Sequence, residues 1–197
     1  MDTAEQNAPF VELGEKLFRY RDYTAVPLLV LALFAAEPSV ASATIGTLVV
    51  LAGELLRIWA VAFLGSVSRT RSDSTGPSLV THGPFAIIRN PVYLANMLIC
   101  GGFAIYSGVG WLLIIIIGAA IFQYVCISQY EGKLLLTKFG DEYQRYCETV
   151  PAWFPARVPP FEDMEWPTNL REAFRNERRT VTAIVLTLCA LMLTAKK

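Results

Sequence analysis

Five stretches of the chain are dominated by apolar residues, and the polar residues that separate them fall where helices would leave a bilayer. Residues 23–36 form the first run, with Pro27 near its start. It is shorter than the roughly 20 residues a crossing needs, so it must borrow from its flanks. Residues 43–65 form a longer run, interrupted only by Glu54 and Arg57. Residues 91–107 and 109–129 are separated only around Gly108, which predicts a tight antiparallel hairpin of the third and fourth segments. Ala95, Gly101, Gly102 and Ala104 allow a close helix approach there. The fifth run covers residues 180–195. This pattern predicts an all-α fold, an integral membrane helical bundle of about five transmembrane helices.

The polar stretches refine this outline. Residues 12–22 mix charges with Leu13, Leu17, Phe18 and Tyr20, a spacing that lays a short amphipathic helix on the membrane surface. Residues 66–81 read as a polar loop carrying Arg69 and Arg71. Pro91 suits the first turn of a helix and Asn90 before it suits the cap, so a helix starts at Pro91. The fourth helix meets no stop signal at the membrane edge and runs on to Gly140, a good C-terminal cap, which projects it into water. Asp141 then caps a short amphipathic helix with Glu142, Tyr143, Arg145 and Tyr146, ending before Pro151. Trp153 and Phe154 return the chain to the interface, and the proline-rich, charge-dense residues 156–179 read as a surface segment before the last run.

Composition agrees with a lipid-facing protein: 54% of the 197 residues are hydrophobic, 17% are charged, and the mean hydropathy is +0.42. The formal net charge of zero points to no nucleic acid partner. Cys100, Cys126, Cys147 and Cys189 lack C-x-x-C spacing and read as small buried hydrophobes, not zinc ligands or disulfides. Asp2, Glu5, Glu12 and Glu15 ahead of the first apolar run do not suit a signal peptide. Fourteen of the 17 basic residues, among them Lys16, Arg21, Arg69, Arg71, Arg89, Lys133, Arg145, Arg157 and Arg179, fall on one face if there are five spans. Lys196 and Lys197 would lie opposite. By the positive-inside rule that face is cytosolic, and it holds the loop, the residue 83–93 corner and the segment after Glu131.

The chemistry carried by these residues is narrow. The chain's only histidine is His82, so no Ser-His-Asp set exists, and neither a metal cluster nor a glycine-rich phosphate loop is present in the sequence. Glu54 and Arg57 share one helix face three positions apart, which suits either a mutual pair that fixes packing or an intramembrane polar site. Arg89 reaching for headgroups with Tyr93 in the aromatic belt accounts for the corner as an interfacial helix start. By themselves, Glu131 reads as a solvated helix end and Phe85 as an interface anchor.

Taken together, these pieces resemble a known family. Leu79-Val80-Thr81-His82-Gly83-Pro84-Phe85, Arg89-Asn90-Pro91-Val92-Tyr93, Glu131 eight residues before Phe139-Gly140, then Glu142-Tyr143, Tyr146 and Val150-Pro151 resemble the signature of the isoprenylcysteine carboxyl methyltransferases and their phospholipid methyltransferase relatives. Arg57-Ile58-Trp59-Ala60 with Leu64-Gly65 is similar to the preceding helix of bacterial members. The resemblance covers roughly residues 55–154 and implies a single membrane methyltransferase domain over residues 1–197, with residues 155–197 as a C-terminal surface segment and last helix.

The resemblance implies a multi-pass membrane enzyme that takes S-adenosyl-L-methionine from the cytosol and methylates a lipid-like or prenylated acceptor from the bilayer, without nucleic acid or metal. Carried over by position, Ser78, Leu79 and Val80 line the adenosine site and Phe85 packs against the cofactor. Asn90, Pro91, Val92 and Tyr93 close over its methionine part, and Glu131 pairs with a positive group, with Arg89 and Glu131 as the catalytic candidates. A cofactor with a sulfonium, an ammonium and a carboxylate needs an acid, a base and aromatic faces, which Glu131, Arg89, Phe85 and Tyr93 can supply. Ile127 stands one turn before Glu131, where the isoprenylcysteine enzymes carry an arginine for the substrate carboxylate, so an amine, thiol or other lipid headgroup remains open. Two other classes remain: a membrane reductase of the sterol reductase type using NADPH, whose hairpin has a similar Arg-x-Pro-x-Tyr corner, and a non-enzymatic scaffold or transport protein built on Glu54 and Arg57.

Overall fold

The computed structural model of the protein describes residues 8–64, 78–156, 160, 164–167 and 170–194. Among them are seven α-helices and a 3-10 turn, and no strand: α1 (Ala8–Thr24), α2 (Val26–Ala35), α3 (Val40–Leu64), the 3-10 turn (Gly83–Ala86), α4 (Pro91–Tyr106), α5 (Gly110–Phe139), α6 (Asp141–Thr149) and α7 (Leu170–Thr194). The predicted Arg69, Arg71, Arg157, Lys196 and Lys197 lie outside the described residues.

Among the described residues, two helices are long and apolar enough to cross a membrane. With 25 and 30 residues, α3 and α5 reach about 38 and 45 Å at 1.5 Å per residue, against a hydrocarbon core of about 30 Å. The apolar α2 and α4, of 10 and 16 residues, are shorter. The exterior is itself apolar: Leu48, Leu55, Ile114, Leu186 and Leu193 are 61, 68, 75, 65 and 71% exposed. Side chains that would form a liability in water match the solvent when that solvent is lipid.

The bundle is built around α4. Val50 of α3, Ile99, Phe103 and Tyr106 of α4, and Ile184 and Leu191 of α7 form one buried cluster. Ala32 of α2, Ala104 of α4, and Leu112 and Ile116 of α5 form a second. Tyr93 of α4 with Ala120, Tyr124 and Ile127 of α5 forms a third, against which Leu17 and Phe18 of α1 pack. A helix surrounded on several sides needs small residues where backbones meet. A Cβ on Gly102 would lie 2.8 Å from the Gly46 carbonyl oxygen and 2.8 Å from the Val50 nitrogen, and one on Gly53 would lie 2.9 Å from the Ala95 carbonyl oxygen. Gly102 and Ala95 therefore meet Gly46 and Gly53 of α3, whereas Gly101 faces Ile117 of α5 and Ala104 packs with Ala32, Leu112 and Ile116.

The hairpin between the third and fourth apolar segments is as expected: Ser107, Gly108 and Val109 alone join α4 to α5, with Gly108 at φ +74°. Its backbone is tied to the α2–α3 connection through Glu37 N–H donating to the Ser107 carbonyl at 2.8 Å. The two connections without basic residues thus share one end of the bundle.

Several local expectations are corrected. The helix over residues 12–22 packs along α5, where the Gly14 position leaves no room for a Cβ between itself and the Tyr130 side chain, and so is not a free surface helix. The first apolar run breaks at Ala25, with Pro27 in the first turn of α2. Asp141 is the first residue of α6, and Gly140, at φ +50°, holds the cap position. Residues 171–179 belong to α7 itself, because the charged run contains no helix breaker. The cysteines are unpaired as expected, although only Cys126 is fully buried and Cys189 is exposed.

Candidate functional site

The corner at residues 83–93 is fixed by backbone geometry before any side chain acts. Gly83 has φ +60° beneath the Phe63 ring, a conformation and a space that only glycine fits. Pro84 and Phe85 are buried behind it, and the Ile87 and Ile88 N–H groups both donate to the Pro84 carbonyl at 3.2 Å. The Tyr146 hydroxyl of α6 donates to the Phe85 carbonyl at 2.7 Å, and the Arg89 N–H to the Pro151 carbonyl at 2.9 Å. Burial pushes the Tyr146 phenol up from its ordinary range, which keeps it a donor. Pro91 opens α4 as expected, but Asn90 makes no cap bond; its Nδ2 donates to the Ala152 carbonyl at 3.0 Å. The amide thereby joins the corner to the segment after α6, and capping is given up for a tertiary bond.

Arg89 turns its Nη1 toward Cys147 Sγ at 2.6 Å, while its buried Nε has no hydrogen-bond partner among the described residues. Tyr93 is buried against Tyr124, ring centroids 5.0 Å apart and 22° between planes. It is a wall residue and not an exposed belt residue. Glu131 lines the cavity with Tyr93 and Tyr124, as does Asn96, a turn further along α4.

These groups surround one cavity of about 1540 Å³, above the roughly 300–1,000 Å³ of ordinary small-molecule sites. Ser78, Leu79, Val80, Phe85, Arg89, Asn90, Pro91, Val92, Tyr93 and Glu131 all line it. Three separated segments are therefore brought to a single space. Leu28, Ala32, Ile99, Phe103 and Ile184 continue the wall among the apolar helices.

Between the polar mouth and the apolar end lies a second polar group. Arg57 Nε is 2.6 Å from Glu177 Oε2 of α7, and Arg57 Nη1 also donates to the Asn96 side-chain oxygen. Glu54 does not pair with Arg57 by a hydrogen bond; both its carboxylate oxygens are buried without a hydrogen-bond partner among the described residues. The short-range pairing suggested by helix spacing thus gives way to a long-range one, because Arg57 reaches across to α7.

Sequence reasoning gave no site role to Arg21, Asn96, Tyr124 and Glu177, nor to Tyr143 of the family pattern, all of which line the cavity. The signal for Tyr124 was its place seven residues before Glu131, two turns up the same face of α5, and for Asn96 its place three residues after Tyr93. Glu177 had no local signal, because its partner is 120 positions away. Among the described residues no group of three or more His, Cys, Asp or Glu side chains could hold a metal ion.

An all-helical bundle with bilayer-length apolar helices and a large cavity that is polar at one end and apolar at the other defines a membrane protein with an amphipathic site. The model of the phospholipid methyltransferase family matches residues 41–142, just over half of the chain, and the chain belongs to that family. It is 26% identical over 134 residues to the cobalt-zinc-cadmium resistance protein CzcN of Cupriavidus metallidurans, covering 68% of this chain and 58% of that protein. It is 28% identical over 117 residues to the nickel-cobalt-cadmium resistance protein NccN of Alcaligenes xylosoxydans xylosoxydans, covering 59% of this chain and 51% of that protein. The chain thus spans about half the length of the curated relatives it matches. No solved structure matches it.

Proposed function

We propose that the chain is an S-adenosyl-L-methionine-dependent methyltransferase acting on a lipid-like acceptor that enters the cavity from the bilayer. The observation that carries this reading is the convergence of the ten motif residues on one cavity whose far wall is apolar. A cationic, amino-acid-bearing cofactor fits the polar end. Glu131 offers a carboxylate, Phe85 and Tyr93 offer ring faces, and the unpartnered Nε of Arg89 offers a donor. Ser78, Leu79 and Val80 would hold the adenosine part, and Asn90, Pro91 and Val92 would close over the methionine part. The cofactor supplies an activated methyl group when bound. The chain's own contribution is to hold donor and acceptor in line and to exclude water, so alignment provides much of the acceleration. The apolar walls of α2, α4 and α7 suit the acceptor's hydrocarbon portion, and Arg57, Asn96 and Glu177 offer hydrogen bonds to its head.

The same reading gives a multi-pass topology of about five spans, with the polar mouth on the cytosolic face that collects the basic residues. Arg57 then serves the acceptor end of the enzyme, not a transport path. The test is transfer of label: purified protein with methyl-labelled S-adenosyl-L-methionine and extracted membrane lipids. Label should enter the organic phase with wild type and fall to background with Glu131→Ala. Equal label with and without protein would count against the reading.

A further inference from the structure

The amino-acid end of S-adenosyl-L-methionine carries an ammonium and a carboxylate on the same carbon. A site that recognises it therefore places an acid and a base close together. Arg21, Arg57, Arg89 and Arg179 line the cavity; Arg57 is held by Glu177 and Asn96 deeper in the bundle, and Arg89 lies against Cys147 on α6. Arg21, in the last turn of α1, lines the same cavity as Glu131 and Tyr93.

We infer that Arg21 is the carboxylate-binding half of an amino-acid clamp whose other half is Glu131, so that α1, outside the family-matched residues 41–142, completes the cofactor site. This inference rests on the cofactor reading above. The guanidinium is held in place for that role. Arg21 Nη1 donates to the Phe18 carbonyl at 3.1 Å, and its Cζ lies 4.2 Å from the centre of the Phe18 ring. Phe18 in turn packs on Tyr130, the residue before Glu131, with centroids 5.8 Å apart. At Gly14, a Cβ would come 2.9 Å from the Tyr130 Cβ, so the close approach of α1 to α5 depends on glycine. Acid and base are thereby anchored on two helices in direct contact. A basic residue in a last helical turn also offsets the helix dipole, and that purely structural role would be indifferent to which ligand is bound.

Ligand truncation separates the two roles. S-adenosylhomocysteine has the amino-acid end, and 5′-methylthioadenosine keeps the adenosine and the sulfur but lacks it. Calorimetric titration of the full chain in detergent should show Arg21→Gln weakening S-adenosylhomocysteine by about 10–100-fold, with 5′-methylthioadenosine within about twofold of wild type. Arg21→Lys should recover part of the loss. Equal S-adenosylhomocysteine affinity in wild type and Arg21→Gln overturns the clamp alone. Parallel loss of both ligands also overturns it, by making Arg21 structural. No S-adenosylhomocysteine binding by wild type overturns the cofactor reading and the clamp together.

Discussion

Breaking the contact between Arg57 and Glu177 should loosen the last helix from the rest of the bundle. The two side chains are 21 and 3% exposed and 2.6 Å apart, so this is not a surface pair of the kind worth 0–1 kcal/mol. Glu177→Leu leaves the Arg57 guanidinium without its carboxylate partner, and removing one partner of a buried pair costs about 3–5 kcal/mol. For a chain of this length that lowers the apparent Tm by roughly 6–20 °C, at about 2–4 °C per kcal/mol. The Asn96 oxygen, which also accepts from Arg57, retains part of the solvation and favours the lower half of the range. Arg57→Met with Glu177→Leu removes both charges and should cost less than the two single changes added together, with a coupling of about 1–3 kcal/mol. The assay is thermal unfolding in a fixed detergent for the four members of the cycle. Additive single changes, each below about 1 kcal/mol, would refute the claim that α7 is held to α3 by this pair.

Other perturbations act at single points. Glu131→Gln removes the carboxylate beside Tyr93 with little change in shape and should weaken S-adenosylhomocysteine by about 10–100-fold, the size of a charge-assisted hydrogen bond, measured by calorimetry; an unchanged affinity contradicts the assignment. Tyr146→Phe deletes the donor to the Phe85 carbonyl and should cost about 1–2 kcal/mol in thermal unfolding, with a weaker cofactor affinity because the Phe85 corner is freed. Gly102→Ala and Gly118→Ala form a matched pair: in an open helix alanine gains up to about 1 kcal/mol. At Gly118 nothing lies within 4 Å of the added Cβ, whereas at Gly102 it meets α3 backbone. Gly118→Ala should therefore leave Tm unchanged or higher and Gly102→Ala should lower it; the reverse order would contradict the close α3–α4 crossing.

The helices were legible because bilayer-scale apolar runs and their breakers are local signals. Gly108, Pro91 and Gly140 each mark an element end that the structure contains. The charged start of α7 was misread because residues 171–179 look like a surface tract until Glu177 is seen to face Arg57. Asn90 and Asp141 show a similar limit: both are good caps by residue type, yet Asn90 is recruited by the Ala152 carbonyl and Gly140 takes the cap before α6. The motif residues of the corner and Glu131 were legible as a set through the family pattern, and their common cavity gives that set a spatial meaning. Arg21 lies outside the pattern, and only the packing of α1 on α5 brings it to the cavity.

The central claim is that the polar end of the cavity is a site for S-adenosyl-L-methionine. Its most direct test is a calorimetric titration of the purified chain in detergent with S-adenosylhomocysteine and, separately, with NADPH. Saturable binding of S-adenosylhomocysteine that is lost in Glu131→Ala, with no binding of NADPH, is the predicted result. Binding of NADPH alone, or of neither compound, would contradict it.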